Sequence, residues 1–142
     1  MNSSTHENDF YAWTQEQVNL LKTGQLHQID WQNIAEEMED MGRSEKRQLE
    51  SRLEILIMHL LKWQFQPNLR SRSWQLTIKE QRLRLEKLLE KNPSLQAHLT
   101  EAMEDVYPLA TISAERETGL SSFPETSPYR LTEILSPEFL PE

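Results

Sequence analysis

The sequence contains no cysteine. That excludes disulfides, thiolate metal sites and a cysteine nucleophile. Glycine is almost as scarce, with three residues, Gly24, Gly42 and Gly119. Three isolated glycines cannot build a phosphate-cradling loop, and no serine stands in a nucleophile-elbow context. Long apolar runs are missing too. The densest, Ile55–Leu61, is interrupted by His59 and falls far short of a membrane span, so no membrane association is expected. The opening MNSSTHENDF lacks the basic start and apolar run of a signal peptide, and the expected compartment is the cytoplasm. No stretch alternates in the manner of a strand, and no repeat is evident.

What is present is a charge sorted by position. Residues 43–91 hold 12 of the 15 Lys/Arg and 6 of the 23 acids, a net of +6, while residues 1–42 and 92–142 each net −7. A basic centre lies between acidic flanks. The overall charge of −8 argues against nucleic-acid binding by the whole molecule and leaves it open for one face. Four Trp, four Phe and three Tyr supply bulky core anchors, which argues against wholesale disorder. The length suits a single domain over 1–142.

The apolar spacing predicts an all-α bundle of about five main helices, with an N-terminal arm over 1–12 and a Pro-rich tail over 119–142 wrapped on it. Thr14 and Gln17 have capping-box spacing, and Trp13 with Val18 suits a hydrophobic staple, so the first helix is expected from Thr14 to Gly24. Asp9 offers an earlier start. The second helix is expected from Asp30 as N-cap, with Trp31, Ile34, Ala35, Met38 and Met41 on one face and Glu36, Glu39 and Asp40 on the other. Gly42 is expected to end it as a C-terminal cap. Ser44 then caps a third, central helix running to about Gln66. Ser73 caps a fourth that reaches Lys91, and Pro93 opens a fifth. Pro108 is expected to kink or end that helix, because it lacks the N–H donor and crowds the preceding turn. A short helix is expected near Pro128–Leu135.

Several stretches in order resemble a known family. They are Asp9–Trp13, Asp30–Trp31 through Glu36–Gly42, His59–Gln64 with its Trp63, Arg72–Trp74, and the Gly119–Leu120 turn with the Pro-rich end. Together they resemble the family called domain of unknown function 29, which is common in cyanobacteria. The resemblance implies an all-helical, soluble bacterial protein. It implies no activity and supplies no catalytic or binding residue.

Three groups of residues carry chemistry worth weighing. His59 sits mid-helix in the most apolar stretch, and a buried histidine needs a hydrogen-bond partner or a metal. Joined with Glu36, Glu37 or Asp40 it would make a metal-dependent hydrolase or nuclease-like site. The simpler reading is a satisfied structural histidine, because the Glu-x-x-His spacing of bundle metal sites is absent: Leu56 stands three residues before His59. The acids Glu36, Glu37, Glu39 and Asp40 suit a hard cation or an acid/base pair, or simply a face turned to water or to the basic helices. Arg70, Arg72 and Trp74 combine cations with a stacking surface at a helix start, which suits nucleic acid. Trp74 also begins an apolar stripe and is expected in the core. No resident metal and no cofactor are expected.

The fourth helix carries two stripes. Trp74, Ile78, Leu85, Leu88 and Leu89 face one way, and Leu76 and Leu83 the other. The second stripe needs its own cover, either the tail or a second copy. The expected function is a non-catalytic interaction or regulatory module that binds a protein partner or associates with itself, the latter as a homodimer through Leu76 and Leu83. The hydrolase using His59 and the nucleic-acid binder using Arg70–Trp74 are the alternatives.

Overall fold

The computed structural model describes residues 5–142, so the first four residues of the expected arm lie outside the described residues. Among the described residues the chain is all-α and has no strand. It consists of α1 (Phe10–Lys22), α2 (Trp31–Phe65), α3 (Arg72–Lys91), α4 (Leu99–Thr118) and the single turn α5 (Leu131–Leu135). Short 3-10 turns at Leu26–Gln28, Pro67–Leu69 and Pro93–His98 lie between them. The chain divides into two compact units, Met1–Arg43 and Ser44–Glu142.

In the first unit α1 begins at Asp9, the earlier of the two expected starts. Its carboxylate accepts from Ala12 N at 3.1 Å, satisfying one of the free donors of the first turn. Thr14 lies inside the helix and donates its hydroxyl to Tyr11 O at 2.7 Å. Gly24, at φ +74, takes the left-handed conformation that turns the chain after α1. Asp30 caps α2, accepting from Asn33 N at 3.4 Å.

Helix α2 corrects the expected boundary at Gly42. Gly42 and Ser44 both lie inside a continuous helix of 35 residues. Gly42 has no positive φ, and the residues on either side (Glu39, Met41, Arg43, Glu45, Lys46, Arg47) are mostly good helix formers. A lone glycine weakens a helix by only about 1 kcal/mol, which its neighbours absorb.

The second unit holds the core. Leu49, Leu53, Leu56, Ile57, Leu60 and Leu61 of α2 are fully buried, joined by Ile78, Leu85 and Leu88 of α3 and by Leu99, Ala102, Val106, Tyr107, Ala110 and Ala114 of α4. The small alanines let α4 approach its neighbours closely. Helix α4 continues through Pro108, which therefore does not end it. The proline sits on its exposed side, where the carbonyl it deprives of a partner is open to water. Gly119, at φ +76, closes α4 with its N–H on Glu115 O at 2.8 Å.

The Pro-rich tail packs on this bundle, as the sequence led us to expect. Tyr129 and Ile134 are buried in the core, and Phe123, Leu131, Leu135, Phe139 and Leu140 pack against it. Polar ties from the bundle hold it down. Tyr107 donates to Pro124 O at 2.6 Å, Tyr129 to Gln64 Oε1 at 2.7 Å, and Arg82 Nε to Ile134 O at 2.9 Å.

Candidate functional site

The basic loop is built differently from its sequence pattern. Ser71, not Ser73, caps α3, accepting from Trp74 N at 3.1 Å. Arg70 turns inward. Its Nε donates to Trp63 O at 2.8 Å, its Nη2 donates to Glu142 O at 3.0 Å, and the guanidinium lies 5.1 Å from the centre of the Trp63 ring. Such stacking suits the planar, weakly hydrated guanidinium. Trp74 is half-buried beneath Lys62, whose ammonium sits 4.7 Å from the ring centre and 2.5 Å from Glu117. Arg72 stays exposed and reaches Gln75 at 3.4 Å. Arg70 and Trp74 are thus engaged within the fold, and Arg72 faces solvent.

His59 is partly buried, with Nδ1 at 2.8 Å from Ile55 O one turn earlier. A carbonyl only accepts, so the imidazole carries its proton on Nδ1. Burial pushes its pKa down, and nearby Lys62 adds to this, against the opposing pull of the Ile55 carbonyl and Glu117. The Nδ1–H is satisfied within its own helix.

The candidate acids Glu36, Glu37, Glu39 and Asp40 of α2 belong to the first unit. Glu37 accepts from His6 Nε2 at 2.6 Å. Asp40 and Glu39 pair with Arg43, and Glu36 is exposed. Among the described residues no group of three or more His, Cys, Asp or Glu is placed to hold a metal.

Sequence reasoning missed two features. The first is a network around Asp30, which accepts from Asn33 Nδ2 at 2.8 Å and from the Trp13 indole at 3.0 Å, while its own N–H donates to Gln17 Oε1 at 2.9 Å. The Asn33 bond, with help from Trp13, holds the Asp30 carboxyl below its usual range against an opposing push from desolvation. A polar cleft of about 700 Å³ opens beside this network. The one available signal was Asp30 itself, a capping residue three positions before an asparagine.

The second is Arg82. It is buried and reaches the tail carbonyls of Ile134 and Glu133, and desolvation lowers its pKa to about 10. It lines an apolar cleft of about 670 Å³ with Ile78, Leu83, Leu89, Leu135 and Leu140. Leu83, from its lining, and Leu76 remain 48% and 46% exposed.

The model of one family, Domain of unknown function DUF29, matches residues 5–140. The chain belongs to that family. Comparison with curated proteins and with solved structures gives no match. In this DUF29 chain the motif stretches turn out to be joints of the fold. Asp9–Trp13 opens α1, Asp30–Trp31 opens α2, and Arg72–Trp74 opens α3. His59–Gln64 supplies the α2 segment that meets Glu117, Trp74, Arg70 and Tyr129. The family description names no activity. Among the described residues no helix is long and apolar enough to cross a membrane.

Proposed function

We propose that this chain is a non-enzymatic interaction module that associates with a second copy of itself through the outer side of α3. One observation carries the reading. Leu76 and Leu83, on the side of α3 opposite Ile78, Gln81, Leu85 and Leu88, stay about half exposed after the tail has covered its own share of the bundle. Two leucines seven residues apart keep the same side of a helix for two turns.

The flanking charges favour a second copy over any other occupant. With about 3.6 residues per turn, Lys79 and Glu86 fall on one flank of the leucine line and Glu80 and Lys87 on the other. In two helices related by a parallel two-fold axis, opposite flanks meet. Leucine then faces leucine, Lys79 faces the partner's Glu80, and Glu86 faces the partner's Lys87. An antiparallel pair centred between the two leucines brings like flanks together, setting Lys79 against the partner's Lys79 and Glu80 against the partner's Glu80. The charge pattern supports the parallel, in-register pair over the antiparallel one.

Sedimentation velocity of the whole chain over a range of concentrations tests the reading. Association that a Leu76→Asp/Leu83→Asp variant abolishes, with its helical signal intact, is the expected result. A parent chain that stays monomeric throughout contradicts it.

A further inference from the structure

Part of the Arg82 guanidinium is not used by the tail. Nε and Nη2 go to the carbonyls of Ile134 and Glu133. Nη1 has no hydrogen-bond partner among the described residues and is not sealed from solvent. The residue as a whole is 7% exposed, and among the described residues it forms no ion pair. A desolvated guanidinium with a spare donor and no counter-ion gains from an anion that reaches it.

Arg82 lines the apolar cleft of the second unit. Buried Ile78 and half-buried Leu89, Leu135 and Leu140 form the walls, and the volume of about 670 Å³ is that of a small-ligand pocket. From Arg82 to Leu89 the α3 wall runs about 10 Å at 1.5 Å per residue. The other charges of the cleft, Lys79, Glu86 and Glu138, are all exposed. They stand at its rim in water, where charge is screened, and Lys79 offsets one of the two acids. Neither acid pairs with Arg82, although Glu86 is one helical turn away from it on α3. The floor of the cleft therefore holds an uncompensated positive charge beside apolar surface.

We propose that this cleft binds a medium-length straight-chain carboxylic acid, with its carboxylate on Arg82 Nη1 and its chain along Ile78, Leu89, Leu135 and Leu140. The walls alone would accept any alkyl chain, and the guanidinium alone any anion. An amphipathic anion satisfies both. A carboxylate oxygen at Nη1 adds a charge-assisted bond in a place shielded from water, where such a bond is stronger than at the surface. Each methylene that leaves water tightens binding by about fourfold. An alkylammonium of the same length would set cation against cation. The site goes beyond self-association. Leu83 borders both the cleft and the outer face of α3, but Leu76 lines no part of the cleft.

Isothermal titration calorimetry of the full chain with octanoate, decanoate and dodecanoate, below their micelle concentrations, tests the proposal. Octanol and octylammonium are the probes that lack the negative head. The acids are expected to fill one site per chain, tightening by about fifteenfold for each added pair of methylenes until the wall is covered. Octanol and octylammonium are expected to bind about tenfold more weakly than octanoate. Arg82→Gln should bring octanoate down to the level of octanol. Leu140→Glu, which sets a carboxylate in the path of the chain, should remove binding of all three acids with the helical signal intact. Where Arg82→Gln costs too much stability to be measured, the acid, alcohol and amine compared on the parent chain still decide. Equal binding of the three octyl probes, affinity independent of chain length, or no saturable binding overturns the proposal. The same series on the Leu76→Asp chain should give the same affinities, which separates this site from self-association. A site that vanishes with that change belongs to the paired form and overturns its assignment to the single chain.

Discussion

Arg82 of α3 donates its Nε to the main-chain oxygen of Ile134 at 2.9 Å, and its Nη2 reaches Glu133 O at 3.3 Å. One buried side chain thereby ties the tail to the bundle without any carboxylate. A cation left with only carbonyl partners stays under-compensated, which is why burial lowers its pKa. Arg82→Ala removes two charge-assisted bonds and the packing of the side-chain stem. The expected loss is about 2–3 kcal/mol of unfolding free energy. Hydrogen exchange should show the amides of α5 losing protection before those of α2, and equal loss in both would refute the latch.

The partly buried His59 should shape the acid limb of stability. Burial depresses the pKa of His59 below its ordinary 6.5, so between the folded and unfolded pKa values the unfolded chain binds more protons. Stability is then fully present above the unfolded value and declines as pH falls through the folded one. Unfolding free energy measured from pH 8 to pH 5 should fall along this limb. His59→Gln should flatten the fall, and an unchanged slope in that variant would show that other groups cause it.

Gln81 offers the opposite kind of change. Its Oε1 is buried and has no hydrogen-bond partner among the described residues. Replacing the amide with an apolar chain of similar volume removes that deficit, and Gln81→Met should raise unfolding free energy by about 1 kcal/mol. A drop of similar size in thermal or denaturant unfolding would mean that a partner holds the amide in solution.

The parts of the fold that were legible in the sequence are those where one residue decides the backbone. Gly24 and Gly119 end α1 and α4 at left-handed φ as their positions suggested, and the aromatic residues of the tail demanded burial. Gly42 looked alike and behaved otherwise, because a glycine stops a helix only when the next residues favour leaving it. The start of α3 slipped by two residues because Ser71 and Ser73 are equally good caps, and only the placement of Trp74 chooses between them.

The candidate sites were less legible, for a physical reason. Periodicity shows that Trp31, Ile34, Met38 and Met41 share a face, but it does not show what covers that face. Arg70 and Trp74 read as a ligand platform because their partners, Trp63, Glu142 and Lys62, come from α2 and the tail. Arg82 gave no signal, since it recognises main-chain carbonyls that any sequence possesses.

The absence of cysteine makes the pairing of α3 directly measurable. Single Leu76→Cys and Leu83→Cys chains, oxidised mildly alone and as an equimolar mixture of unequal mass, report which positions meet. Parallel, in-register association predicts a covalent dimer from each variant alone and little mixed species. Mixed dimers without self-linked ones would show that association occurs with the strands reversed. No covalent dimer from any of the three samples, at concentrations well above those of the sedimentation series, would contradict self-association through this face.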